Sequence, residues 1–178
     1  WEWHLWDHTI QDVDAELDNY GEIAEHPELI NINFGDVGDD SPTESHADWI
    51  HFNATDYNED LDQIALSSRH NSEIYIIDHS TTSEEAAGHF GGNSNRGGDF
   101  LYRWGNPQAY DQGNFFDQKL DSQHGVNWIP EGYPGEGNLL LFNNFYNADW
   151  NSAVYELVLP LNSDGTYDIN LDGTYEPE

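Results

Sequence analysis

The sequence predicts an all-β fold, and three observations support this prediction. Short segments rich in β-branched and aromatic residues recur along the chain, separated by Gly, Asn, Asp and Ser. The 3.6-residue spacing of an amphipathic helix is not sustained in any segment of the sequence. The strand-like segments also fall into two similar groups, which indicates an internal repeat.

Eight segments have the pattern of a β-strand. The predicted strands cover residues 1–6, 49–56, 63–68, 73–78, 100–104, 126–129, 138–143 and 153–159. One helical turn is predicted over residues 80–87, because a Ser/Thr run that can cap a helix precedes a pair of glutamates and a pair of alanines. Residues 11–47, which are acidic, and residues 88–98 are rich in Gly and Asn, and both are predicted to be long surface loops.

The internal repeat relates residues 49–78 to residues 123–159. Aligning His51 with His124 gives a period of 73 residues, and nearly the same offset superposes DQIALSSR on GNLLLFNN and SEIYIID on SAVYELVL. An aromatic segment precedes each unit, WEWHLW in one case and FLYRWG in the other. Each unit is therefore interpreted as three strands that follow the last strand of the preceding unit.

Tandem antiparallel units of four strands are typical of a β-propeller, in which each blade buries its faces against neighbouring blades. The prediction is a partial β-propeller in which residues 1–178 are a single piece of the propeller domain. Residues 1–8 are the last strand of a preceding blade, 48–105 are one blade and 123–178 are the next, incomplete blade. About two blades do not close a ring, so further blades are expected beyond both ends. A single β-sandwich domain is the competing architecture.

The charge of the chain excludes several classes of function. There are 35 acidic residues against 4 basic ones, a formal net charge of −31, which repels nucleic acids and anionic membrane surfaces. Aromatic residues make up 14% of the chain, which a disordered acidic tail does not have. No long apolar run predicts membrane insertion. The acidity suits a periplasmic or secreted protein, or one from a salty environment.

Candidate catalytic residues come from the repeat. The sequence has no cysteine, so catalysis must use other polar side chains, and His51 and His124 occupy equivalent places on strands that would line a propeller channel. Strand alternation predicts that His51 and Asn53 share one face, with the flanking apolar residues on the other. Arg69 ends the next strand and is a candidate anion clamp.

This group of an imidazole pair, an amide and a guanidinium suits nucleophilic or acid–base chemistry on an anionic group better than glycoside hydrolysis by paired carboxylates. The ordinary alternative is structural. A strand histidine usually hydrogen-bonds a backbone carbonyl, and an arginine at a strand end usually pairs with a surface carboxylate. Five further histidines lie in predicted loops or at strand ends and do not have the spacing of metal ligands, so they are not candidates. They are His26, His46, His70, His79 and His89.

Several motifs together resemble the bacterial arylsulfate sulfotransferases that work without a phosphoadenosine cofactor. In chain order they are WEWHLWDH, HFN, LSSR, EIYIIDHSTT, GGDFLYRWGNPQAY, QH and LLLFNN, which span residues 1–8, 51–53, 66–69, 73–82, 97–110, 123–124 and 139–144. The resemblance implies a six-bladed, periplasmic or secreted propeller with no cofactor and no metal. It implies that His124 is the nucleophile and that His51, Asn53 and Arg69 line the same site.

The implied reaction is ping-pong: His124 takes a sulfuryl group from an aryl sulfate and passes it to a phenol. These small molecules are the implied partners, and the oligomeric state stays open. A further active-site histidine of the family has no match in residues 1–47, and the cysteine pair of some members is missing. The isolated chain is therefore expected to be incomplete and inactive.

A non-catalytic extracellular binding module, assisted by calcium, is the alternative function. The sequence DINLDG at residues 168–173 matches the first half of a calcium loop. The twelfth loop position and flanking helical patterns are missing from the sequence, so an ordinary Asn/Asp/Gly turn is the favoured interpretation.

Overall fold

The computed structural model describes residues 1–35, 48–145 and 151–178. The described chain is mostly β. Its strands are β1 (Thr9–Ile10), β2 (Ile30–Asn31), β3 (Phe52–Asn58), β4 (Gln63–Ser68), β5 (Glu73–Asp78), β6 (Phe100–Trp104), β7 (His124–Trp128), β8 (Leu139–Asn143) and β9 (Ala153–Leu157). One α-helical turn, α1, spans Ser83–Ala86, and 3-10 helices span Leu5–His8, Ile23–Glu25, Pro107–Tyr110 and Phe115–Asp117. Among these residues, no helix is long and apolar enough to cross a membrane.

Two antiparallel sheets form the body of the structure. Strands β3, β4, β5 and β6 form a four-stranded sheet in sequence order, and β7, β8 and β9 form a three-stranded sheet in sequence order. A short parallel pair, β1 with β2, forms a third sheet. The all-β prediction is therefore confirmed. The two larger sheets lie within residues 48–105 and 123–178, and their assignment as propeller blades stays a prediction.

The four-stranded sheet is covered on both faces. One face packs in a common core with the three-stranded sheet, through residues such as Ile76, Tyr102, Trp128 and Leu141. The other face forms a second core, in which Tyr75 and Phe100 contact residues from the N-terminal part of the chain; these include Trp3, Leu5, Ile30 and Ile50. This explains why every residue of β5 and β6 is buried.

The strand predictions are largely confirmed, with two corrections. The bounds of β4, β5 and β6 are as predicted, and α1 lies inside the predicted helical turn with a capping box between Thr82 and Glu85. The strand predicted over residues 1–6 is wrong. Residues 1–4 have no regular structure and Leu5–His8 form a 3-10 helix. The Trp3 indole N–H donates to the carbonyl of Gly98, in the loop before β6, at 2.8 Å.

The alternation predicted around His51 is also wrong. Strand β3 begins at Phe52, because His51 has a φ of +50° and thus lies in the left-handed region. A register shift between Phe52 and Ala54 then interrupts the pairing with β4. Phe52 is exposed whereas Ile50 is buried, so the two do not share an inward face.

The last described segment contains a short repeat that was not predicted from the sequence. The turns beginning at Asn162 and Asn170 have the same backbone bond, from the Asn N–H to the carbonyl four residues later, at 2.8 Å in both. Each turn ends by placing a tyrosine, Tyr167 or Tyr175, against the ring of Tyr102. The two turns therefore close the common core of the sheets.

Candidate active site

Gln123, the residue before β7, links the two sheets. Its side chain is fully buried, and its Nε2 donates to the backbone carbonyls of Ser68 and Glu73, both at 2.8 Å. Its own carbonyl accepts a hydrogen bond from the side-chain amide of Asn53 at 2.7 Å. The start of β7 is thereby fixed against the turn between β4 and β5.

This link brings three of the predicted site residues to one end of the sheets. Arg69 directly follows Ser68, His124 directly follows Gln123, and Asn53 is bonded to Gln123 itself. Further along the same strands, the backbone N–H of Trp128 donates to a carboxylate oxygen of Asp56 at 2.8 Å. Strands β3 and β7 therefore lie side by side. In the described chain, no hydrogen bond or ion pair joins His124 directly to His51, Asn53 or Arg69.

His124 is the first residue of β7 and is half-buried. Its Nδ1 lies 3.0 Å from the carbonyl oxygen of Ser122 and 2.9 Å from Nδ2 of Asn144, and that amide also donates to Ser122. These contacts hold one edge of the ring. The register shift that follows, together with a φ of +69° at Gly125, separates His124 from the regular ladder of β7 with β8.

His51 lies just before β3, and its Nδ1 is hydrogen-bonded to the carboxylate of Asp48. That bond lowers the pKa of Asp48 from its ordinary value, an effect greater than the opposing effect of desolvation. The backbone carbonyl of His51 accepts from the N–H of Arg69 at 3.1 Å, which places His51 next to the arginine in space. The left-handed backbone conformation of His51 is unfavourable for a residue other than glycine. Residues held in such strained conformations concentrate at functional sites.

Arg69 has an unusual partner. Its Nη1 lies 2.8 Å from Nε2 of His70, and Nδ1 of His70 lies 2.6 Å from the carbonyl oxygen of Asp48. Because a carbonyl only accepts, His70 donates from Nδ1 and accepts the Arg69 N–H at Nε2. Within the described ranges, Arg69 has no carboxylate within ion-pair distance. The surface ion pair considered as the ordinary alternative is therefore not seen here.

His70, Asp48, Gln123 and Asn144 belong to the site but were not predicted as site residues. The position of His70 directly after Arg69 was the one available signal for it. Gln123 and Asn144 act through contacts with residues that are distant in sequence, and Asp48 acts through its carboxylate on His51 and its backbone carbonyl on His70; the strand pattern carries no information on these contacts. Asp48, His51 and His70 also present ligand atoms within 4.8 Å of one another, an arrangement able to hold a metal ion.

Two exposed aromatic rings lie near the site. Phe142 is directly opposite His124 in the β7–β8 ladder, so their side chains project from the same face. Phe142 is 41% exposed and Phe52, next to His51, is 40% exposed. Trp128, by contrast, is buried in the core.

The possible calcium loop has the contacts of an ordinary turn. In that segment a carboxylate oxygen of Asp172 accepts from the backbone N–H and the hydroxyl of Thr174, at 3.1 Å and 2.7 Å. The hydroxyl bond is the main cause of the lowered pKa of Asp172. Asp164 and Thr166 repeat the same arrangement one turn earlier. These internal donors occupy an oxygen that a calcium ion would need.

The fold and the site together define an all-β protein with an imidazole, guanidinium and amide group at one end of two linked sheets. The family model described as Arylsulfotransferase (ASST) matches residues 7–171 of the 178-residue chain. The chain belongs to the arylsulfotransferase family. Membership supports aryl sulfotransferase function in general and implies small-molecule substrates. No curated protein and no solved structure gives a significant match to the chain.

Proposed function

We propose that this chain carries the sulfuryl-transfer site of an aryl sulfate sulfotransferase that works through a sulfohistidine intermediate. The observation that carries the proposal is the Gln123 link, which holds His124, Asn53 and Arg69 at one end of the sheets. An attacking imidazole next to a guanidinium and an amide suits transfer of an anionic group.

His124 is the nucleophile. The reaction uses the tautomer with a proton on Nδ1, in which the His124 ring and the Asn144 amide both donate to the Ser122 carbonyl, and this tautomer leaves the lone pair on Nε2 free to attack. In the first half-reaction a bond forms between Nε2 and the sulfur, and the bond from sulfur to the aryl oxygen breaks. The leaving phenolate takes the electron pair of that bond. In the second half-reaction the oxygen of an acceptor phenol attacks the sulfur and His124 is released.

Arg69 and Asn53 stabilise the negative charge on the sulfuryl oxygens. Asn53 uses one amide N–H to bind Gln123 and keeps the other for the substrate, while His70 fixes the direction of the Arg69 guanidinium. By analogy with oxyanion holes, each preorganised donor contributes roughly 3 kcal/mol to transition-state stabilisation.

His51 moves the protons. Asp48 accepts from its Nδ1, which orients the ring and leaves Nε2 for proton transfer. A protonated His51 donates to the oxygen of the leaving phenolate in the first half-reaction. It then takes the proton of the acceptor phenol in the second, which restores its starting state.

The aryl ring of the substrate contacts Phe142. That ring is exposed and projects from the same face as the nucleophile, which suits offset or edge-to-face packing against a phenyl group. Phe52 extends the apolar surface on the side of His51.

The same proposal includes the architecture, in which the chain is part of a β-propeller. A complete antiparallel sheet of four strands, covered on both faces, is what a blade between two neighbours requires. A periplasmic or secreted location is also proposed, and the strongly acidic composition supports it.

The test is a transfer assay on the complete reading frame that encodes this chain. The protein is incubated with an aryl sulfate whose phenol is chromogenic, with and without a second phenol as acceptor. The expected result is release of the chromogenic phenol, an acid-labile sulfuryl adduct on the protein, and loss of both in His124→Ala. His26→Ala is the matched control, since His26 is half-buried and pairs with Glu28 away from the site.

A wild-type protein that forms no acid-labile adduct and transfers nothing would contradict the catalytic proposal. If it then still binds the aryl sulfate, the non-catalytic binding module is the function that remains.

A further inference from the structure

A second group of histidines lies at the opposite end of the four-stranded sheet from Arg69. His8 ends the first 3-10 helix, His89 lies between α1 and β6, and Asp99 directly precedes β6. The start of β6 pairs with the end of β5, whereas Arg69 follows the end of β4, which pairs with the start of β5. The group is therefore separate from the candidate active site.

The three side chains converge on one oxygen. Nδ1 of His8 and Nδ1 of His89 each lie 2.8 Å from Oδ1 of Asp99. The ligand atoms of the three residues all lie within 4.8 Å of one another. His8 is fully buried and Asp99 nearly so, whereas the side chain of His89 is 52% exposed. The group thus has a closed inner side and one accessible side.

The contacts of His8 leave a place for a proton or a metal cation between its Nδ1 and Asp99. Its Nε2 lies 2.8 Å from the carbonyl oxygen of Ala86, which only accepts, so Nε2 carries a proton. A neutral ring then has a lone pair on Nδ1, directed at an oxygen of Asp99 that only accepts when ionised. Two facing acceptors at 2.8 Å repel each other unless a proton or a metal cation lies between them.

The surroundings fix the His8 ring in this orientation. Trp3 stacks parallel to it, with the ring centroids 5.5 Å apart, and also donates to the carbonyl of Gly98. A Cβ at Gly98 would lie 2.2 Å from the Ala86 carbonyl oxygen and 2.5 Å from Nε2 of His8, so only glycine allows this close packing. A backbone carbonyl bound to the outer nitrogen of a histidine is also the usual support of a metal ligand.

We propose that His8, His89 and Asp99 bind a divalent metal ion such as Zn²⁺. Two imidazole nitrogens and one carboxylate oxygen are a ligand set that zinc and its neighbours accept, with a further position left for water. The accessible side is the cleft that His89 lines together with Trp6, Tyr20 and His26. The ion joins the N-terminal segment to the start of β6, so its role is to stabilise the fold. The sulfuryl transfer proposed above does not depend on it.

Cobalt titration of the full 178-residue chain tests this site. Four-coordinate Co²⁺, as expected for two imidazoles, one carboxylate and a water, gives strong visible absorption bands, whereas six-coordinate Co²⁺ on surface carboxylates and water gives weak ones. The expected result is a strong band that saturates at one equivalent, is displaced by Zn²⁺, and comes with a raised thermal midpoint. In His89→Ala the affinity falls by at least about tenfold and the stabilisation disappears. His89 is used because its exposure allows the variant to fold.

Two control variants separate this site from other histidine pairs. His79→Ala removes a histidine whose Nδ1 also contacts a carboxylate, 2.7 Å from Oδ1 of Asp62. That pair contains one histidine instead of two. His70→Ala disrupts the group with Asp48 and His51. Both controls are expected to keep the band. A wild type without the band, which is the result for a group that holds only a proton, overturns the proposal. So does a band that persists in His89→Ala or is lost in His70→Ala.

Discussion

The side-chain amide of Gln123 donates to the backbone carbonyl of Ser68 at 2.8 Å, and this bond joins the three-stranded sheet to the four-stranded one. The same amide donates to the carbonyl of Glu73 at 2.8 Å, so one residue satisfies two carbonyls of the turn between β4 and β5. Because His124 is next in the chain, the position of the nucleophile depends on this buried amide.

Replacing Gln123 with Leu is expected to destabilise the fold and to misplace His124. The carbonyls of Ser68 and Glu73 then lack their donor inside the protein, which costs about 1–3 kcal/mol in the free energy of unfolding for each buried group left unsatisfied. Urea denaturation measures this change. Gln118→Leu is the control, because Gln118 is half-buried and its amide donates to the nearby carbonyl of Leu120 and not to the turn between β4 and β5. A change no larger than that of the control would show that Gln123 does not hold the sheets together.

The buried ion pair between Glu73 and Arg103 gives a second prediction. Both side chains are fully buried, and Nε of Arg103 donates to a Glu73 oxygen at 2.9 Å beside a second contact between them. Burial raises the pKa of Glu73 and Arg103 opposes this rise. Glu73→Gln leaves the guanidinium buried without its counter-charge and is expected to cost about 3–5 kcal/mol in the free energy of unfolding.

A double-mutant cycle with Arg103→Met tests the origin of that cost. The double variant Glu73→Gln/Arg103→Met has no unpaired charge and is expected to be more stable than Glu73→Gln alone. Additive costs for the two substitutions would mean that the two residues act independently.

The fold could be predicted from the sequence where a strand pattern is local. The bounds of β4, β5 and β6 follow from their apolar composition and from the turn residues between them. The N-terminal aromatic segment has the same local pattern but does not form a strand, because Trp3 finds its partners in Gly98 and His8. A tertiary contact across 95 residues overrides β-propensity there, and a single sequence does not show such contacts.

The buried tyrosines predict how stability depends on alkaline pH. Burial raises the pKa of Tyr75, Tyr102, Tyr110, Tyr167 and Tyr175 above the ordinary value of 10.0. Below pH 10 these groups are protonated in both the folded and the unfolded chain, so their contribution to stability is complete. Above pH 10 the unfolded chain loses the protons first, and stability falls by about 1.4 kcal/mol per pH unit for each such tyrosine.

Absorbance of tyrosinate measures this directly. The five buried tyrosines should ionise only together with unfolding, which circular dichroism follows. Ionisation of all described tyrosines in one step below the unfolding transition would contradict the burial of these rings.

The four candidate site residues could be named from the sequence, but the contacts that hold them at one end of the sheets could not. The repeat and the motifs point to His51, Asn53, Arg69 and His124. The contact between Asn53 and Gln123 spans 70 residues, and no spacing in the sequence predicts it. The alternation that was expected to aim His51 and Asn53 together failed because His51 adopts a left-handed backbone, which a periodic pattern does not encode.

His70 should act as a positioning residue for Arg69, and two variants test this. Its Nε2 accepts an Arg69 N–H at 2.8 Å while its Nδ1 donates to the Asp48 carbonyl. In the His70→Ala variant of the complete reading frame that encodes this chain, the guanidinium loses its fixed direction, and a displacement of about 1 Å lowers kcat by up to about 100-fold. KM should change less, because the positive charge of Arg69 remains.

His70→Gln offers an oxygen to the guanidinium and is expected to restore part of kcat. Both variants should keep the thermal midpoint of the wild type, since this side chain is partly exposed. A fall in kcat that only parallels a fall in thermal midpoint, with no recovery in His70→Gln, would assign His70 a structural role instead.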